Sequence, residues 1–213
     1  MRVCPICEYG GKKVIQNEYC GTKLCLFECP HCKHRYLDGL NYNQAWFDNY
    51  YLHHYTTDDE AYSNERLNDL SDFVHGLDKL YVLDIGGQDL QLQRRLIERG
   101  LKCEVVGVGE QAGKEQYGVV VLSHTLEHIY TMPAMMKRIK YSLYQGGWLV
   151  VEVPVHLVYQ LADVYDYQWQ HINKFRPKDL EYLFSRNGFT VEVSKRMPDY
   201  REYQVWRIAG RYE

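Results

Sequence analysis

Two Cys-x-x-Cys turns near the start of the chain, Cys4-Pro5-Ile6-Cys7 and Cys29-Pro30-His31-Cys32, constrain its folding more than any other feature. Each turn can aim two sulfurs at one point, and four thiolates meeting there occupy the corners of the tetrahedron that Zn²⁺ accepts. Six of the seven cysteines fall in this stretch, at positions 4, 7, 20, 25, 29 and 32, among turn-forming glycines and with little apolar periodicity. A segment so poor in core residues needs a metal or a covalent staple. Two disulfides, or thiols packed as small hydrophobes, are the alternatives; a cytosolic chain argues against the first and the missing local core against the second. Residues 1–40 are therefore expected to form a zinc ribbon in which Cys4, Cys7, Cys29 and Cys32 hold one structural ion with no open position for catalysis. Cys20 and Cys25 offer an alternative ligand pair and stay uncommitted, while His31 and His34 are expected to be solvated.

Composition excludes several classes. No apolar run approaches the roughly 18 residues of a membrane span, and Met1-Arg2-Val3-Cys4-Pro5 does not open a signal peptide, so a cytoplasmic protein without a membrane partner is expected. Net charge is −3, and residues 1–40 carry six Lys or Arg against four acids, too small a surplus for a nucleic-acid reader. Apolar residues make up 46% of the chain, enough for a real core.

Residues 41–76, rich in Tyr, Asn, Asp and His and short of Gly, Pro and Ser, read as a connector of short helices packed by aromatic bodies. From residue 77 the pattern alternates. Leu80 to Ile85, Cys103 to Val108, Val119 to Leu122, Trp148 to Val153, Phe189 to Val193 and Tyr203 to Ala209 read as six strands. Helices are expected over Leu90 to Arg99, from Pro133 through Leu143, and from Pro177 to Gly188. The alternation implies an open, mostly parallel α/β sheet with a closing strand pair. A long loop, Val155 to Phe175, carries His156, His171, Tyr159, Tyr165, Tyr167 and Trp169 and is the expected acceptor pocket; a dimer-packing loop is the alternative, and a homo-oligomer stays open.

Four motifs follow in order: Val82-Leu83-Asp84-Ile85-Gly86-Gly87, Leu122-Ser123-His124-Thr125-Leu126-Glu127-His128-Ile129, Gly146-Gly147-Trp148 running to Glu152-Val153-Pro154, and His171-Ile172-Asn173. In that order they resemble the class I S-adenosylmethionine (SAM)-dependent methyltransferases, in the branch with a "LEHI" segment and a "GG-strand-EVP" segment. The likeness covers residues 80–195, and zinc-ribbon modules precede this domain in some members, including sugar C-methyltransferases. The resemblance implies a reduced Rossmann-like sheet over residues 77–213 with SAM as cofactor. Its cofactor contacts would come from Asp84, Gly86 and Gly87, from Glu110 at the ribose, and from Ser123 and His124. His171 or His128 would be the base, and a sugar or nucleotide sugar the acceptor. The chain departs from the pattern where Gln88 and Leu90 replace glycines, and where the short stretch from Glu110 to Tyr117 leaves out a helix and a strand. Those departures motivate a second expectation, a methyltransferase-like scaffold or binding protein without SAM. Glu127 is expected to brace a backbone turn.

Overall fold

The structure, a computed structural model, describes residues 3–19, 22–38, 60–87, 90–113, 116–155, 171–198 and 204–213. Cys20, the connector residues 41–59, Gln88, Asp89 and the aromatic loop residues 156–170 lie outside them.

The N-terminal strands are β1 (Lys12–Tyr19), β2 (Thr22–Glu28) and β3 (Arg35–Asp38). The connector supplies one long helix, α1 (Glu60–His75). Then come β4 (Tyr81–Ile85), α2 (Gln91–Glu98), β5 (Lys102–Val106), β6 (Tyr117–Ser123), a 3₁₀ turn at Leu126–His128, α3 (Met132–Ser142) and β7 (Leu143–Val155). The chain closes with β8 (Asn173–Lys174), α4 (Pro177–Arg186), β9 (Phe189–Arg196) and β10 (Gln204–Tyr212).

Six strands form the main sheet in the order β5-β4-β6-β7-β10-β9. The first four run parallel, and β10 pairs antiparallel with both β7 and β9. The parallel strands are continuous apolar runs because both faces are covered. Along β6, Val119 and Val121 pack with Leu70 and Val74 of α1 and Leu96 of α2, whereas Val120 and Leu122 pack with Met136 and Ile139 of α3 and Leu183 of α4. The alternation is the pleat of a strand read from its side chains.

The crossover from β5 to β6 has to pass β4, because β4 lies between them. It does so in the stretch 107–116 with no helix among its described residues, although parallel strands usually need a dozen or more residues and a helix. The crossover is pinned at its start by Arg138, whose Nη1 donates to the Val108 carbonyl at 2.6 Å, and in its middle by Glu104, which accepts from the Gly113 amide at 2.9 Å. The sheet therefore ends at β5, as the short spacing after Glu110 implies.

The second sheet, β1-β2-β3-β8, has a member the sequence did not announce. β8 comes from the far side of the chain and pairs with β3, Tyr36 opposite Asn173. The two modules share a core: Ile6, Tyr36 and the cluster cysteines belong to the same buried set as Phe175, Leu180 and Leu183. His34, expected to be solvated, is instead fully buried. Its ring lies 3.2 Å from Asn173 Oδ1 and 3.5 Å from Asp179 Oδ2, so two polar partners offset its desolvation. His31 is exposed.

Candidate active site and cysteine cluster

Four free thiols converge where the two Cys-x-x-Cys turns meet. Sγ of Cys7 lies 3.4 Å from that of Cys29 and 3.6 Å from that of Cys32, and Cys4 lies 3.6 Å from Cys32. Sulfurs about 2.3 Å from a common tetrahedral centre stand a little under 4 Å apart, so this spacing suits a Zn²⁺ ion. The turns are near copies. Glu8 and Lys33, each just after the second cysteine, take left-handed φ of 61° and 62°; each donates its amide at 2.9 Å to the carbonyl of the turn's first cysteine, Cys4 or Cys29. Burial pushes the Cys7 thiol up to about 11, and hydrogen bonding to Cys4 together with burial raises Cys32 further. Cys25 is half-buried on β2, outside the four-thiol group.

At the carboxyl edge of the main sheet the glycine turn after β4 leaves no room for side chains. Gly86 has φ of +94°, and a Cβ there would lie 2.5 Å from Thr125 Oγ1. At Gly87 a Cβ would lie 2.0 Å from Oδ2 of Asp84, which is itself buried. Only bare backbone can pass close to the Asp84 carboxylate, the kind of cradle a nucleotide-like ligand needs. Leu90 replaces a glycine yet keeps the backbone that glycine favours, φ 58° and ψ 11°. Holding a leucine there costs roughly 1–2 kcal/mol. Glu110, on the turn after the neighbouring strand β5, is exposed, and its Oε2 accepts the Gly107 amide at 2.7 Å.

The next parallel strand, β6, delivers Ser123 and His124. Arg66 on α1 donates from Nη1 to Ser123 Oγ at 2.6 Å and to Glu152 Oε2 at 2.7 Å. Arg207 on β10, directly opposite Glu152 on β7, donates from Nε to Oε1 at 2.7 Å. Its Nη2 also approaches Glu152 Oε1 at 2.5 Å and Asp69 Oδ2 at 2.6 Å, off the N–H axes. Arg207 and Glu152 are fully buried. Sequence reasoning missed this network, although an acid inside Leu149-Val150-Val151-Glu152-Val153 and an arginine inside Val205-Trp206-Arg207-Ile208 are its signal.

His124 sits at φ 50°, a left-handed position rare for a side-chain-bearing residue, and its amide donates to the Glu152 carbonyl at 2.8 Å. Burial, with the nearby Arg66 and His128, holds its imidazole well below the usual histidine value, so it is neutral at pH 7. The 3₁₀ turn then places Glu127 in the interior. Both its carboxylate oxygens are buried with no hydrogen-bond donor, and burial raises its acid to about 8 despite its own amide and the Arg66 charge. His128 and His171 meet edge to face, ring centroids 5.0 Å apart, so the structure brings the two predicted bases together. His171 stands two residues ahead of β8, and Asn173 Nδ2 donates to the Ile129 carbonyl at 2.7 Å. The cysteine module thus fixes the strand end that carries His171. Two clefts border that module: one of about 290 Å³ against α3 and α4, and one of about 340 Å³ lined by Tyr130, Thr131 and Ile172, next to His171.

An open, mainly parallel sheet with a bare glycine turn after its first strand and polar residues at the end of the next parallel strand defines a Rossmann-like methyltransferase fold. Residues 13–193 match the sequence family described as "Methyltransferase domain". The chain belongs to that family. None of the curated proteins compared matches the sequence. Among solved structures, 1,6-didemethyltoxoflavin-N1-methyltransferase from Burkholderia thailandensis, with 1,6-didemethyltoxoflavin and S-adenosylhomocysteine bound, superposes with a TM-score of 0.64 at 14% identity, covering 93% of this chain and 99% of that one. Magnesium protoporphyrin IX methyltransferase from Synechocystis PCC 6803, with S-adenosylhomocysteine bound, gives 0.53 at 13% identity over 80% and 100%. At such identities the likeness is one of fold.

Proposed function

We propose that this chain transfers a methyl group from SAM to a small molecule, a nucleotide sugar or related carbohydrate being the acceptor class. The observation that carries the reading is the Gly86-Gly87 turn, where added Cβ atoms would collide with Thr125 and Asp84. Relatives in fold with S-adenosylhomocysteine bound, including 1,6-didemethyltoxoflavin-N1-methyltransferase, support it. Asp84, Gly86 and Gly87 would hold the methionine end of the cofactor, Glu110 the ribose, and Ser123 and His124 the adjoining face. SAM when bound supplies an electrophilic sulfonium methyl, whose bond to sulfur breaks as the acceptor bond forms. The chain's part is positioning, with His171 or His128 taking the acceptor's proton. Cys4, Cys7, Cys29 and Cys32 would hold one structural Zn²⁺.

We further assign residues 1–40 to a zinc ribbon, 41–76 to a connector and 77–213 to the methyltransferase unit, in a cytoplasmic protein without nucleic-acid partners. No described helix is long and apolar enough to cross a membrane. A second reading, a scaffold that no longer binds SAM, draws on Leu90 held left-handed without being glycine and on the sheet ending at β5. Isotope-labelled SAM incubated with nucleotide sugars, simple sugars and aromatic N- and O-acceptors separates the readings. Label in the carbohydrate set supports the full proposal; label only in the others removes the carbohydrate; label in none favours the scaffold. Metal analysis below about half a zinc per chain would remove the four-cysteine assignment.

A further inference from the structure

We propose that Glu127, His128 and His171 form a site for one divalent first-row transition-metal ion, distinct from the four-cysteine cluster, with its remaining coordination positions open to oxygen ligands. One ligand atom from each of the three residues can be chosen so that all lie within 4.8 Å of one another. His128 Nε2 is 3.8 Å from Glu127 Oε1. Metal–ligand bonds of about 2.0–2.2 Å set donor atoms roughly 3–4 Å apart, within about an ångström of this spacing.

The independent observation is Glu127 itself. Its carboxylate is wholly buried, and neither oxygen receives a hydrogen bond. Burying a carboxyl without donors is costly, and folded proteins offset the cost by pairing the group or placing it on a metal. Besides the Arg66 charge, two imidazoles stand near it: His128 on one side and, 3.7 Å from the same Oε1, Nδ1 of His124. Two imidazoles and one carboxylate are a borderline donor set suited to Zn²⁺, Mn²⁺, Fe²⁺ or Co²⁺ rather than to a thiolate-seeking ion, and three protein ligands leave room for two or three more.

The frame is built to hold such a set. Glu127 and His128 share a 3₁₀ turn, and Asn173 ties that turn to the strand end bearing His171 through the Ile129 carbonyl. The turn that carries Glu127 and His128 follows the carboxyl end of β6, and oxygen-seeking open positions suit an alcohol, enol or vicinal diol, which the ion would acidify in place of direct proton transfer to His128 or His171. That last step, coordination of the methyl acceptor, rests on the methyl-transfer reading; the metal site does not.

The test titrates Mn²⁺ into the purified full-length chain with its cysteine-bound metal in place, following free Mn²⁺ by electron paramagnetic resonance. Mn²⁺ competes poorly for thiolates, so the cysteine cluster does not contribute. About one Mn²⁺ per chain is expected, displaced by Co²⁺. Glu127→Gln and His171→Gln should weaken binding by more than the roughly 10–100-fold that loss of an outer-sphere partner costs. Uptake below about half an equivalent of both Mn²⁺ and Co²⁺ by the folded wild-type chain overturns the proposal, as does unchanged affinity in either folded variant. If a substitution prevents folding, the wild-type stoichiometry and the remaining variant decide. SAM binding without Mn²⁺ uptake removes the metal site and keeps the methyltransferase reading; Mn²⁺ uptake without SAM binding does the reverse.

Discussion

Glu152→Gln tests how the site's supports are anchored. Glu152 is fully buried and accepts aligned hydrogen bonds at 2.7 Å from both Arg66 and Arg207. Glutamine keeps the shape, removes the negative charge between two guanidinium groups, and turns one acceptor into a donor facing other donors. Breaking a buried ion pair from one side costs about 3–5 kcal/mol, because the orphaned charge stays buried. Arg66 is 13% exposed and can recover some hydration, but Arg207 is at 0% and keeps the Phe73 ring face and, as its charged partner among the described residues, Asp69, which is 54% exposed and worth little. A loss of about 3–4 kcal/mol is therefore expected. Urea unfolding followed by circular dichroism measures it. The double substitution Glu152→Met with Arg207→Met, which removes the charges together, should cost less than the sum of its singles by about 2 kcal/mol. Arg207→Met alone should be milder than Glu152→Gln, since Glu152 would keep Arg66. A Glu152→Gln cost below about 1 kcal/mol, or additive singles, would refute the picture of one mutually dependent buried network.

Two further outcomes follow from local geometry. Leu90→Gly should stabilise the chain by about 0.5–1 kcal/mol in the same unfolding assay, because the left-handed backbone there is free to glycine; destabilisation would mean that the leucine's packing outweighs its strain. Asp179 is buried, which alone would raise its pKa, yet hydrogen bonds from His34 and Arg176 hold it below the ordinary 3.8. Its folded value is depressed, so its contribution is present above about 3.8 and fades as pH falls through the lower folded value. The stability gap between wild type and Asp179→Asn, followed by urea midpoints at stepped acidic pH, should close in that window, and a constant gap would contradict the assignment.

Much of the fold was legible because burial on both faces writes parallel strands as apolar runs, and Gly100, Gly146 and Gly188 punctuate them. The shortened crossover was legible from spacing alone, since too few residues separate Glu110 from Tyr117 for a helix and a strand. The pairing of β3 with β8 was not, because two residues carry no periodicity and their partner lies far away in sequence. His34 was misjudged for the same reason: its burial comes from Asn173 and Asp179, which local pattern cannot bring near it. Of the candidate site, Asp84, Gly86, Ser123, His128 and His171 could be named from motif order as expectations. Arg66, Glu152 and Arg207 were not, since a charge inside an apolar strand declares its partner only once the β7–β10 register is known. Glu127 was visible in the motif, but nothing in Leu126-Glu127-His128 shows that its carboxylate is wholly buried.

Calorimetric titration of the purified chain with SAM and with S-adenosylhomocysteine tests the central claim most directly. Saturable binding of both ligands is expected, lost or strongly weakened in Gly87→Ala, whose new methyl would displace the Asp84 carboxylate. Absence of heat and of thermal stabilisation with either ligand at millimolar concentration, in a chain shown to be folded, would contradict it.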